Sequence, residues 1–204
     1  MGTVTPYHHG DLRNALLQAG ERLLRRNGVA ELSLRKVAGE AGVSHTAPYR
    51  HFQNKRALLS ALAQAGFDRL AQAMRAAEAK YPDDPRRQLQ EAGVAYVLLA
   101  VRHPETTQLM FGGILDPGED DPKLKEFGGK AFQGLLKIVS NGQQAAIYRD
   151  RDTMELALAA WSLVHGLAML LTAGQLRDTV TTEAEITRLV ADLGELLQAG
   201  MLQS

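Results

Sequence analysis

Between residues 33 and 55 the chain reads Ser33-Leu34-Arg35-Lys36-Val37-Ala38-Gly39-Glu40-Ala41-Gly42-Val43-Ser44-His45-Thr46-Ala47-Pro48-Tyr49-Arg50-His51-Phe52-Gln53-Asn54-Lys55. The chemistry these side chains offer is reversible binding to a phosphate backbone and to base edges. Ser33 and Asn54 are good helix N-caps, and each is followed by two cations in the first turn, Arg35-Lys36 and Lys55-Arg56. Cations at a helix start oppose the dipole, by about 0.3–1 kcal/mol each. A phosphate accepting from the free N–H groups there would reverse that sign. Between the two starts, Ser44 is expected to cap a helix over 45–52, with Val43 and Pro48 as a hydrophobic staple and Phe52 on the same buried face. His45, Thr46, Ala47, Tyr49 and His51 then look outward or sideways, where hydroxyls and rings suit base edges, thymine methyls and phosphates. For Tyr49, packing against the head is an equally good reading.

A short helix, a Gly-containing turn and a second short helix form a unit that lays its second helix in the DNA major groove. Charge agrees. Lys plus Arg and Asp plus Glu each total 23, but residues 1–60 hold nine cations against four anions, and the remainder fourteen against nineteen. A basic head on an acidic body follows.

Apolar spacing is helical nearly throughout, which predicts an all-α fold of about nine helices. The expected spans are about 9–27, 33–41, 45–52, 54–80, 85–102, 104–111, 123–145, 152–174 and 183–202. Leu12, Leu16, Ala19 and Leu23 make the inner stripe of the first, which Gly28 ends. Asp84-Pro85 and His103-Pro104 mark helix starts, Gly112-Gly113 a stop, and residues 115–122 an acidic loop. The domain division is a DNA-binding head, 1–53, and a body, 54–204, with the helix 54–80 connecting them.

The chain has no cysteine, which excludes disulfides and thiolate zinc sites and is compatible with a cytoplasmic location. No uninterrupted apolar run approaches the ~18–20 residues of a membrane span. Met1 to Gly10 is polar and does not read as a secretory signal.

The body offers one further chemistry. Trp161, His165 and Met169 follow at i, i+4 and i+8 on one helix face; with Tyr96, Met110 and Phe111 they could line an apolar effector pocket. The same stripe also reads as ordinary core, with His165 satisfying one buried hydrogen bond. Helix 152–174 is apolar on more than one face, and 183–202 carries Ile186, Leu189, Val190, Leu193, Leu196 and Leu197. Either both are central core helices, or both pair with their copies across a two-fold axis into a four-helix bundle. An enzyme using His165 as a general base is the competing class. The sequence offers it no nucleophile motif, phosphate-binding glycine loop or His/Glu pair at metal spacing, so no catalytic residue, metal or cofactor is assigned. His8-His9 is a tail pair, and adjacent residues do not share a helix face.

Three blocks closely resemble the DNA-binding head of TetR-family transcriptional regulators. They are Leu34-Arg35-Lys36-Val37-Ala38 with Ala41-Gly42-Val43-Ser44, Tyr49-Arg50-His51-Phe52, and Asn54-Lys55-Arg56-Ala57-Leu58-Leu59. The resemblance covers about residues 9–60 and implies base and phosphate contacts from Ser44 to Tyr49 with His51, and a phosphate contact from Lys55. His45-Thr46-Ala47-Pro48 departs from the small residue and Leu of many members, which bears on the operator sequence. His103-Pro104-Glu105 with Leu109-Met110-Phe111-Gly112, and Trp161-Ser162-Leu163-Val164-His165-Gly166, resemble the family's WHG type of C-terminal domain. What this implies is a dimer, binding a double-stranded operator and answering to a small-molecule effector. An activator, or a regulator without an effector, remains a third reading.

Overall fold

The computed structural model describes residues 9–115 and 121–201, and the side chains from residue 12 onward. Residues 116–120 of the acidic loop, and His8, lie outside the described residues. Eight α-helices and one 3-10 helix make up the regular structure, with no β-strand among the described residues. In order they are α1 (His9–Glu31), α2 (Leu34–Glu40), a 3-10 recognition turn (Ala47–Arg50), α3 (Lys55–Lys80), α4 (Pro85–Arg102), α5 (Pro104–Phe111), α6 (Pro122–Gln144), α7 (Thr153–Thr172) and α8 (Glu183–Met201).

Local chemistry sets most boundaries. Gly28 breaks α1 with φ +71°, a conformation that side-chain-bearing residues rarely adopt. Asp84 caps α4 by accepting from the Arg87 N–H at 3.1 Å, and Pro85 takes the first position, where its missing N–H costs nothing. In α1, Leu16, Ala19 and Leu24 are fully buried, while Leu12 and Leu23 at the stripe's ends are half-buried.

The chain forms two compact units. The first comprises residues 1–66 and Glu105–Leu124, the second Phe67–Pro104 and 125–204. Within the second, α4 packs against both α7 and α8. Gly93 permits the close approach, because a Cβ there would lie 3.3 Å from Val164 Cγ1 and 3.7 Å from Val190 Cγ1. Tyr148 closes the far end of this unit: its hydroxyl meets the Pro85 carbonyl at 3.1 Å and Gln198 Oε1 at 3.3 Å.

α7 is apolar on more than one face, but in the single chain only Leu156, Ala157, Ala160, Leu167 and Ala168 are buried, and Met154, Leu158 and Leu170 are exposed. α7 is also long and apolar enough to cross a membrane by length and composition, although no run in it is uninterrupted. Its packing on α4 is that of a core helix with one side left open.

Candidate nucleic-acid interface and effector site

The frame of the interface is α2 and the turn after it. Ser33 caps α2 in extended conformation, accepting from the Lys36 N–H at 3.2 Å. Gly42, at φ +68°, ends the helix: its N–H bonds the Gly39 carbonyl at 3.1 Å, and the Val43 N–H the Ala38 carbonyl at 3.0 Å. This paired closure redirects the chain within three residues. Glu40 holds α2 to α1 through Arg22 at 2.9 Å and through Arg26, and the two guanidinium bonds keep its carboxyl below the usual range.

The expected helix over 45–52 is instead the four-residue 3-10 turn Ala47–Arg50, and its cap position is Thr46, without a side-chain cap bond, rather than Ser44. Pro48 is the reason. An α-helix capped at Ser44 needs an N–H at residue 48 to bond the Ser44 carbonyl, and proline has none. Ala47 N–H takes that carbonyl at 3.0 Å, giving the tighter i→i+3 winding. The freed Ser44 hydroxyl lies 3.2 Å from that of Thr46. Pro48 and Phe52 are buried as expected, and Arg13 stacks over the Phe52 ring at 5.7 Å. Ser44, His45, Thr46 and Tyr49 are exposed, Tyr49 by 52%, while Ala47 and His51 are half-buried. His51 Nε2 is buried with no hydrogen-bond partner.

The cations are not equivalent. Lys36 pairs with Glu31, whose carboxyl it lowers, so its charge at the α2 start is answered within the protein. Arg35 is exposed and has no ion pair among the described residues. Asn54 caps α3 through the Ala57 N–H at 2.9 Å, and the Lys55 ammonium donates to the Ala30 carbonyl at 3.0 Å. Lys55 therefore locks α3 to the end of α1. Arg50, which the sequence reading did not single out, is exposed on the recognition turn itself.

In the second unit, three of the predicted effector residues form one hydrogen-bonded cluster. Trp161 Nε1 donates to Tyr96 Oη at 3.4 Å, and that hydroxyl lies 2.7 Å from His165 Nδ1. The Tyr96 hydroxyl, with one hydrogen and two lone pairs, thus bridges both rings. Burial pushes the Tyr96 hydroxyl up to about 12, partly offset by the Trp161 bond, and lowers the His165 imidazolium below its ordinary value. Both groups are thus neutral at pH 7. Phe132 of α6, missing from the sequence-predicted set, stands 5.7 Å from the Trp161 ring. Its signal was available: it lies one turn from Leu135 and two from Val139 on the apolar side of α6. Met169 is half-buried one turn beyond His165. Met110 and Phe111 belong to the first unit, where Met110 is buried against Gly66. An open groove of about 600 Å³ lies elsewhere in the second unit, lined by residues of α6 and the α7 start including Lys137, Arg151 and Met154.

Comparison with known proteins accounts for both parts. Residues 16–62 match the family described as bacterial regulatory proteins, tetR family, and residues 89–193 match the tetracyclin repressor-like C-terminal domain. The class A tetracycline repressor protein from transposon 1721 of Escherichia coli is 50% identical over 52 residues, 26% of this chain and 24% of that protein. The HTH-type transcriptional regulator AcrR of Shigella flexneri is 26% identical over 158 residues, covering 78% of this chain and 67% of AcrR. A solved structure from Rhodococcus sp. RHA1, described as a protein with unknown function, superposes with a TM-score of 0.84 at 36% identity, covering 98% of this chain and 100% of that one. The chain therefore spans about a quarter of the first of these relatives and two thirds of the second. With a tetR-type helix-turn-helix at one end and the matching C-terminal domain over half its length, the chain belongs to the TetR family of transcriptional regulators.

Proposed function

We propose that the protein is a ligand-responsive repressor, a homodimer that binds a palindromic operator and releases it when a small molecule enters the body. The observation that carries this reading is the recognition turn: four exposed polar or aromatic residues, Ser44, His45, Thr46 and Tyr49, held rigidly by buried Pro48 and Phe52. Ala47 and His51 complete the base-facing set, and Ser33, Arg35, Lys36 and Lys55 supply phosphate contacts. Head and body divide functionally at residue 53. The tetracycline repressor's name supports repression over activation.

Dimerisation is supported by the open side of α7 and by Leu196 on α8, which is 73% exposed. Large apolar groups gathered on two adjacent helices suit a second copy better than water. Two half-sites read by one dimer give the affinity that a single head lacks. The effector is neutral or weakly polar: Tyr96, Trp161 and His165 offer polar atoms without charge, amid Phe132 and Met169. It works only through its different affinity for the two spacings of the heads. His165 serves as a hydrogen-bonding group rather than a general base, and the protein works in the cytoplasm without metal or cofactor. A turnover on any substrate that is abolished by His165→Ala would overturn this role for His165.

Selection of bound duplexes from a random pool, followed by challenge of the complex with a panel of neutral organic molecules, tests the proposal. It predicts an inverted repeat and a compound that dissociates it while quenching Trp161. Recovery of non-palindromic DNA would remove the dimeric reading, and a complex indifferent to the whole panel would weigh against the effector.

A further inference from the structure

α3 carries a polar side chain inside its apolar face. Ser60 is 5% exposed, flanked by buried Leu59 and Ala61. A buried hydroxyl is costly without partners. Ser60 has two: its hydroxyl donates to Asp121 Oδ2, and Gln64 Nε2 donates to its oxygen at 3.0 Å. The other Asp121 oxygen accepts from the Leu124 N–H at 3.0 Å, which makes Asp121 the cap of α6, with Pro122 next. One carboxylate thus commits an oxygen to each of two helices, across 61 residues of chain. Burial raises the Asp121 carboxyl, but the Ser60 hydroxyl, the Leu124 amide and the Arg56 charge outweigh it and keep it ionised. Hydrogen bonds to an ionised acceptor are the strong kind.

A second contact lies six residues on. A Cβ at Gly66 would come within 2.5 Å of Met110 Sδ and 2.9 Å of Thr106 Cγ2, so α5 sits directly on α3 there. α5 and the start of α6 are fastened to α3 at these two points, within the unit that holds the helix-turn-helix. Yet α6 continues to Gln144 in the body, as α3 continues to Lys80. Both α3 and α6 thus run from one unit into the other.

We infer that the Ser60–Asp121 pair is a positioning contact for the effector response, binding the first turn of α6 to α3 so that a shift of α6 in the body reaches the head. The inference rests on the effector-responsive reading above. A directional, charge-assisted bond holds a single register, whereas an apolar contact would let the two helices slide. Coupling between distant sites needs such a discrete element. Neither residue is among those assigned to DNA, so coupling can be lost while affinity survives.

Trp161, the one tryptophan of the chain, sits in the body and reports the coupling without an identified effector. By linkage, DNA bound at the head must alter the body whenever the two are coupled. The probe is the duplex recovered by selection, titrated into full-length dimer while tryptophan emission and affinity are both recorded. Ser60→Ala, which leaves a good helix former, is expected to bind that duplex within about twofold of wild type but to lose most of the emission change. Ser60→Thr, which keeps the hydroxyl, restores it, and Asp121→Ala behaves as Ser60→Ala. A full emission change in both alanine variants would overturn the inference, as would a wild type that binds DNA with no emission change. In both of those cases the DNA-binding function stands. A wild type that selects no duplex at all overturns the regulatory reading and this inference together.

Discussion

Lys36 and Lys55 look alike in the sequence and differ in the structure. Lys36 pairs directly with Glu31, so a phosphate must compete with an existing partner, whereas Lys55 donates to a helix-end carbonyl and feels Glu31 only through space. Lys55→Ala should therefore weaken binding about equally on all duplexes and reduce the salt slope by about one unit. Affinity titrations at several salt concentrations decide this; an unchanged slope would remove Lys55 from the phosphate set. Tyr49, more than half exposed beside buried Pro48, should act the other way: Tyr49→Ala lowers discrimination between the operator and unrelated duplexes without lowering the melting temperature. A fall in melting temperature would favour the packing role. His165 makes a prediction in pH. Burial lowers its folded-state value below the ~6.5 of an unfolded chain, so the unfolded state binds the proton first as pH falls. Its contribution to stability is complete above that value and is lost as pH drops through the folded-state value. Unfolding free energies of wild type and His165→Gln, compared from pH 7.5 to 5, should converge toward the acid end. A difference independent of pH would contradict the assignment of a neutral imidazole.

Helix boundaries were legible wherever one residue's own chemistry decides them. Asp84-Pro85, Gly42 and Asn54 each work through their own backbone or side chain, and each stands where the sequence placed it. The turn at Ala47–Arg50 departs from the expected helix because Pro48, which was expected to forfeit only one bond, lacks the N–H that the Ser44 carbonyl needs for α winding. The apolar face that carries Phe132 is legible, but its meeting with Trp161, like the α3–α5 contact at Gly66, depends on which helices meet, and periodicity gives a face without naming its partner. Two glycines of α6 separate the local effect from the tertiary one. At Gly142 a Cβ would lie 2.1 Å from the buried Tyr148 ring, whereas at Gly129 nothing lies within 4 Å. Alanine gains about 0.5–1 kcal/mol over glycine in a helix interior, so Gly129→Ala should stabilise by roughly that amount. Gly142→Ala should instead destabilise by about 1–3 kcal/mol, because overpacking against a fixed ring outweighs propensity. Chemical denaturation of the pair tests this, and stabilisation by both would show that the Tyr148 ring can move aside.

At the scale of the whole molecule the two halves of α7 and α8 have different tasks. Their inner residues, such as Ala157, Leu167, Ile186 and Val190, close the body around α4. Their outer residues, Met154, Leu158, Leu170 and Leu196, stand largely in water in a single protomer. This division makes the dimer testable without damaging the fold. Leu193 is half-buried in its own chain, so a charge there would confound folding with association. Leu196, at 73% exposure, carries no such ambiguity. In a lone protomer Leu196→Glu places a carboxylate in water at almost no cost; in the proposed bundle it buries an unpaired charge, which is strongly unfavourable. Light scattering should find wild type dimeric at micromolar concentration and the variant monomeric, with the helical content of both the same by circular dichroism. Operator affinity should fall in parallel, since one head then reads one half-site. A variant that stays dimeric would move the interface off α8, and one that is monomeric yet holds the full operator as tightly would show that the heads bind independently.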